Sequence, residues 1–87
     1  MRKRAKLDDN HQSIVIALRM QGWLVLSMAA IGSGCPDLLC YHPARDNWRL
    51  VEIKDGAKKK LTADQERFIK QGWKVAVVRS IDDAVSL

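Results

Sequence analysis

The sequence predicts a single α/β domain with a mixed four-stranded sheet and helices packed on it. Three observations carry this. Helical and strand-like apolar patterns alternate along the chain, turn signals separate them, and 87 residues suffice for one core but not two. Residues 1–87 are therefore read as one domain.

The first helix is expected from about Asp9 to Gln21. Ile14, Val15 and Leu18 keep helical spacing, Asp8-Asp9-Asn10 offers capping oxygens, and Gly22 suits the C-terminal stop. Trp23 to Leu26 reads as a first strand. Ile31 to Pro36 is a break, since glycine permits unusual dihedrals and proline cannot donate to a ladder. Asp37 to Tyr41 and Trp48 to Lys54 read as the second and third strands, joined by a hairpin loop around Pro43, Asp46 and Asn47. Thr62-Ala63-Asp64-Gln65 has capping-box spacing for a second helix that ends at Gly72. Trp73 to Val78 is nearly all apolar and is expected to be an interior strand. Ser80 or Asp82 caps a short last helix around Ala84 and Val85. The hairpin makes antiparallel neighbours, and a strand–helix–strand crossover adds a parallel one.

Composition narrows the function classes. The net charge is +5, with positives grouped at Arg2, Lys3, Arg4 and Lys6 and again at Lys58, Lys59 and Lys60. Such grouping favours a polyanionic partner through phosphate contacts and counterion release. The same lysines also serve simple solvation. No apolar signal core follows the basic start and no apolar run spans a membrane, so a cytoplasmic setting is expected. Two cysteines, Cys35 and Cys40, make no disulfide framework, and with His11 and His42 they match no zinc spacing. Cys40 is expected to face the core and His11 the solvent. Trp23, Trp48 and Trp73 are read as core or dimer-packing residues rather than base-stacking ones.

Asp37, Glu52 and Lys54 are the candidate chemical residues. Residues two apart on a strand share a face, so Glu52 and Lys54 project together while Ile53 points away. If Tyr41 pairs near Trp48, Asp37 comes level with Glu52, within about 5–6 Å if the two pair directly. Two carboxylates beside a lysine suit Mg²⁺, which prefers oxygen ligands and keeps several waters. A metal so held polarises a phosphodiester and activates water, and an adjacent ammonium offsets transition-state charge.

Gly34-Cys35-Pro36-Asp37-Leu38-Leu39 followed by Val51-Glu52-Ile53-Lys54 resembles the active-site signature of the PD-(D/E)XK nuclease superfamily. Asp8 to Gln12, Leu61 to Gln65 and Gly72 to Val78 extend the resemblance to its VRR-NUC branch, particularly short stand-alone phage and bacterial members. The resemblance implies a restriction-endonuclease-like αβββαβ core and Mg²⁺- or Mn²⁺-dependent hydrolysis of DNA. It implies Asp37, Glu52 and the Ile53 carbonyl as metal ligands, Lys54 as the residue that orients the nucleophile or offsets charge, and Gln65 near the site as well as at its cap. It further implies a first-helix acid, Asp8 or Asp9, and points to branched, four-way-junction-like DNA cut by a homodimer. Lys58, Lys59, Lys60 and Arg4 are the expected DNA contacts. The rival readings are a DNA-binding accessory module without cleavage and a restriction- or toxin-like nuclease acting on plain duplex.

Overall fold

The computed structural model describes residues 10–87. Its elements run α1 (His11–Met20), β1 (Leu24–Ser27), β2 (Leu38–His42), β3 (Asn47–Ile53), α2 (Ala63–Lys70), β4 (Val75–Val78) and α3 (Ile81–Val85). The expected order of elements holds, with boundaries shifted by a residue or two. The sheet is mixed and four-stranded, in the order β1-β2-β3-β4. β1 and β3 lie antiparallel to β2, and β4 lies parallel to β3. The hairpin register is the expected one, with Tyr41 opposite Trp48.

Alternation along the strands gives the sheet two unlike faces. The inner face carries Val25, Leu38, Cys40, Val51, Ile53 and Val78. These pack with Ile14, Leu18 and Ala84 of α1 and α3, which also touch each other. The outer face carries Leu24 and Leu26 from β1, Leu39 and Tyr41 from β2, Trp48, Leu50 and Glu52 from β3, and Val75 and Val77 from β4. Among the described residues only α2 lies on this side, and it contributes no fully buried residue.

Four expectations need correction. β4 is an edge strand, not an interior one. Its apolar sequence reflects packing on its faces, against α3 on the inner side. His11 is buried rather than solvent-facing, because the start of α1 is drawn onto the ends of β3 and β4. Asn10 does precede the helix, but its side chain caps nothing; it spans to two distant carbonyls instead. Trp23 joins the core, where it meets His42 edge-on, while Trp48 and Trp73 are exposed, so of the core-or-dimer expectation the core alternative fails for those two. Cys40 is buried, as expected. Ser80, rather than Asp82, caps α3 by accepting from the Asp83 N–H. Among the described residues no helix is long and apolar enough to cross a membrane.

Candidate active site

The site begins with the β2–β3 register. Leu38 pairs with Val51, so the chain one step earlier brings Asp37 level with Glu52. Asp37 is fixed there by two main-chain links. Its carbonyl accepts from the Met28 N–H at 2.7 Å, and its Oδ2 accepts from the Ile53 N–H at 2.9 Å. The Asp37 carboxylate is thereby held against the β3 backbone between Glu52 and Lys54. Ile53 turns its side chain into the core on the opposite face.

Glu52 and Lys54 share the outer face, as strand geometry requires, and form an ion pair with Nζ 3.7 Å from Oε2. Both are almost wholly buried, at 3% and 5% exposure. Removing charges from water is costly unless each finds a partner. Here Gln65 adds one, its Nε2 donating to Glu52 Oε2 at 2.9 Å. Its other side-chain atom is also in use: Gln65 Oε1 accepts from the Thr62 N–H while Thr62 Oγ1 accepts from the Gln65 N–H. Gln65 thus closes the capping box and reaches the site at once.

The loop before Asp37 explains why Gln65 is in reach. Gly32, Ser33 and Gly34 all have positive φ, a region that glycine adopts freely and other residues rarely. A Cβ on Gly34 would lie 2.3 Å from the Asp64 carbonyl oxygen. Only glycine lets this loop come so near the first turn of α2. Cys35 lies beside the cluster. Partial burial raises its thiol above the ordinary value, and the negative charges of Glu52 and Asp37 push the same way.

Asn10, expected only as part of a helix cap, and Arg79, which the pattern of the sequence did not single out, complete the frame. Asn10 Nδ2 lies 3.2 Å from both the Lys54 and the Arg79 carbonyl oxygens, tying α1 to the ends of β3 and β4. The Arg79 guanidinium donates to the Gly56 and Lys59 carbonyls, pinning the loop that carries Lys58, Lys59 and Lys60. That loop is exposed from Asp55 to Lys60. The gathered residues are therefore Asp37, Glu52, Lys54 and Gln65, with the lysine loop leading directly away from Lys54. Arg4, Asp8 and Asp9 lie outside the described residues.

Two carboxylates and one ammonium leave the cluster one negative charge in excess, which favours an added cation. Among the described residues no three His, Cys, Asp or Glu side chains gather to hold a metal. The donor set fits a hard cation that keeps waters and takes ligands from a substrate, not a zinc cage. No family model, curated protein or solved structure matches the chain.

Proposed function

We propose that the chain is a Mg²⁺- or Mn²⁺-dependent endonuclease that hydrolyses DNA phosphodiesters on a restriction-endonuclease-like αβββαβ core of the VRR-NUC type. The observation that carries this reading is the position of Asp37. Its carboxylate is hydrogen-bonded to the Ile53 N–H, next to a buried Glu52–Lys54 pair on the same side of the sheet. Burying Glu52 and Lys54 beside the half-buried Asp37 costs desolvation free energy that a bound cation would help to offset.

In this reading Asp37, Glu52 and the Ile53 carbonyl hold the metal. A divalent cation held there would supply Lewis-acid polarisation of a phosphodiester and acidification of a bound water. Lys54 neutralises charge as it builds on the phosphoryl oxygens. Gln65 keeps Glu52 turned toward its neighbours. Lys58, Lys59 and Lys60 contact the backbone near the cut, held in place through Arg79, and Arg4 adds a contact from the N-terminal group. Such contacts fix the register without reading bases. Branched DNA is the proposed substrate, on the strength of the resemblance in the signature residues.

A cleavage panel tests this: linear duplex, single-stranded, flapped and four-way DNA, each with Mg²⁺ and with Mn²⁺. The wild type is expected to cut in the presence of either metal, with four-way DNA favoured. Asp37→Ala and Glu52→Ala are each expected to slow cleavage by about 10²–10³-fold, a loss typical of removing a transition-state stabiliser. If either variant cuts as fast as wild type, the assignment of the site is wrong.

A further inference from the structure

Four aromatic rings stand in succession across the outer sheet face, at the end away from the site. Tyr41 and Trp48 are paired in the β2–β3 register, with ring centroids 4.4 Å apart. Leu50 pairs with Val75 on the parallel neighbour, so counting back two residues on each chain sets Trp73 level with Trp48. Trp73 in turn stacks on Phe68 of α2, with centroids 5.4 Å apart and planes 17° from parallel. Hydrogen bonds help to orient the rings. The Tyr41 hydroxyl donates to Asp46 Oδ1 at 2.8 Å, and Trp73 Nε1 donates to Gln71 Oε1 at 3.3 Å. Despite these contacts Trp48 and Trp73 remain 61% and 53% exposed.

We propose that this row is a stacking site for unpaired nucleobases, through which the chain binds a single-stranded segment of nucleic acid at a surface separate from the carboxylate cluster. Every base offers a π-face, and a ring already held in place receives one with little further loss of side-chain freedom. Neighbouring strands stand about 4.8 Å apart, wider than the roughly 3.4 Å rise between bases of a duplex strand. Bases laid across the row are therefore drawn apart from one another and stack on the protein instead. Beside Trp48 the face continues as an apolar groove of about 300 Å³, lined also by Leu24, Leu26 and Leu39. That volume is at the low end for sites that take a small flat ligand.

Charge selects the occupant. Arg45 in the hairpin loop, Lys70 at the end of α2 and Lys74 next to Trp73 are all exposed around the rings. Asp46, the acid of the same hairpin loop, is engaged by Tyr41. An aromatic surface with cations at its rim matches a polyanion that carries flat apolar bases. The same rim opposes a second copy of this +5 chain, because like charges would meet across the contact.

The stacking site stands independently of the nuclease proposal; only its consequence rests on that reading. Trp48 and Glu52 lie on one face of β3, about 13 Å apart along the strand. That distance is about four nucleotides at the rise of a duplex strand. A strand with a phosphate at the carboxylate cluster therefore sets bases about four nucleotides away on the rings. The branched DNA proposed above would then be recognised through bases that leave the stack at its branch.

Binding of a short oligodeoxythymidylate, and of a duplex of the same length, tests the site in EDTA, where cleavage plays no part. The wild type is expected to bind the single strand with quenching of its tryptophan emission. Trp48→Ala and Trp73→Ala are each expected to weaken that binding about tenfold, within the range for losing one stacked base, and to leave duplex binding unchanged. Both are expected to keep the wild-type dependence of affinity on salt, because no phosphate contact is lost. Trp48→Phe retains a ring and is expected to bind nearly as wild type. Met20→Ala, a control at an exposed position of α1, is expected to have no effect. Should Trp73→Ala lose its fold with Phe68 unstacked, Trp48→Ala carries the test alone. A wild type that does not bind the single strand overturns the proposal, as do alanine variants that bind it unchanged. So does shielding of the tryptophans from acrylamide that grows with protein concentration in the absence of DNA, since a second copy would then cover this face. A protein that binds through the rings yet cuts no DNA with either metal supports the stacking site and refutes the nuclease reading alone.

Discussion

At one end of β3, Trp48 stands 61% exposed; at the other, Glu52 and Lys54 are 3% and 5% exposed. Side chains on one face of one strand are thus sorted opposite to their affinity for water. Trp48 thus leaves a large apolar surface in water, on a face that nothing covers among the described residues. The buried charges at the other end pair with one another, and this cluster is the site proposed for chemistry. The two ends also differ in how they are covered. Among the described residues nothing covers the outer face at Trp48, whereas the charged end lies under α2, a helix with no fully buried residue of its own. That helix is held by the Gly34 contact, by Gln65 on Glu52 and by the stack of Phe68 on Trp73. The roof over the site is therefore attached largely by the site.

The strongest way to break this arrangement is to remove the ammonium. Lys54→Met retains the length of the side chain but removes the ammonium 3.7 Å from the buried Glu52 carboxylate. The expected cost is about 3 kcal/mol of unfolding free energy, the low end for breaking a buried pair. It is read from urea titrations at fixed protein concentration. Adding Glu52→Gln to Lys54→Met is expected to restore most of that loss, because the stranded charge is then gone. A single variant that loses less than 1 kcal/mol would show that Glu52 does not depend on Lys54.

A smaller effect is expected from the loop. Gly34→Ala must place a methyl group against the Asp64 carbonyl and hold φ near +82°. Overpacking and left-handed strain together are expected to cost about 2 kcal/mol. The displacement falls on the first turn of α2, so it also pulls Gln65 from Glu52. Cleavage is then expected to fall more than the loss of stability explains. Gly56→Ala is the control: it shares the positive φ but meets no neighbouring atom, so it loses stability through strain alone.

The two cysteines extend the contrast between the faces. Burial on the inner face pushes the Cys40 thiol up from 9.0 to about 11. The fold thus retains a proton that the unfolded chain releases, and stability falls as pH rises from about 9 toward 11. The full effect is on the order of 2 kcal/mol at the top of that window, and Cys40→Ala is expected to remove it. Cys35, half-buried on the other side, is expected to react with a thiol reagent in the native protein, while Cys40 reacts only on unfolding.

What could be read from the sequence was what local pattern controls. Alternation gave the strands, the short loop after Tyr41 gave its pairing with Trp48, and the Thr62–Gln65 spacing gave the capping box. Asp37, Glu52 and Lys54 followed from register and parity. The misread features depend on contacts far apart in the chain. Asn10 reaches across 44 and 69 residues to Lys54 and Arg79, and no periodicity encodes such a span. Arg79 was not singled out, because its carbonyl partners lie 20 and 23 residues away. The burial of His11 follows from the same closure. β4 was misplaced because an apolar edge strand packed by a helix, here α3, reads like one flanked by strands.

The finest test separates the two tasks of Gln65. Gln65→Glu keeps an oxygen to accept from the Thr62 N–H, so the capping box survives. It replaces the amide that donates to Glu52 with a second carboxylate. Like charges at that distance raise the pKa of one of the pair, and the Glu52 side chain is pressed away from its place beside Asp37. Stability is expected to drop by only about 1 kcal/mol, the size of one hydrogen bond. Cleavage is expected to fall at least tenfold, with the residual activity moved to higher pH, where both carboxylates ionise. Gln65→Ala should lose the cap as well and melt lower than Gln65→Glu does. A Gln65→Glu protein that melts and cuts as wild type would leave the glutamine as a helix cap alone, and the covered end of β3 would then owe its shelter to α2's position rather than to this contact.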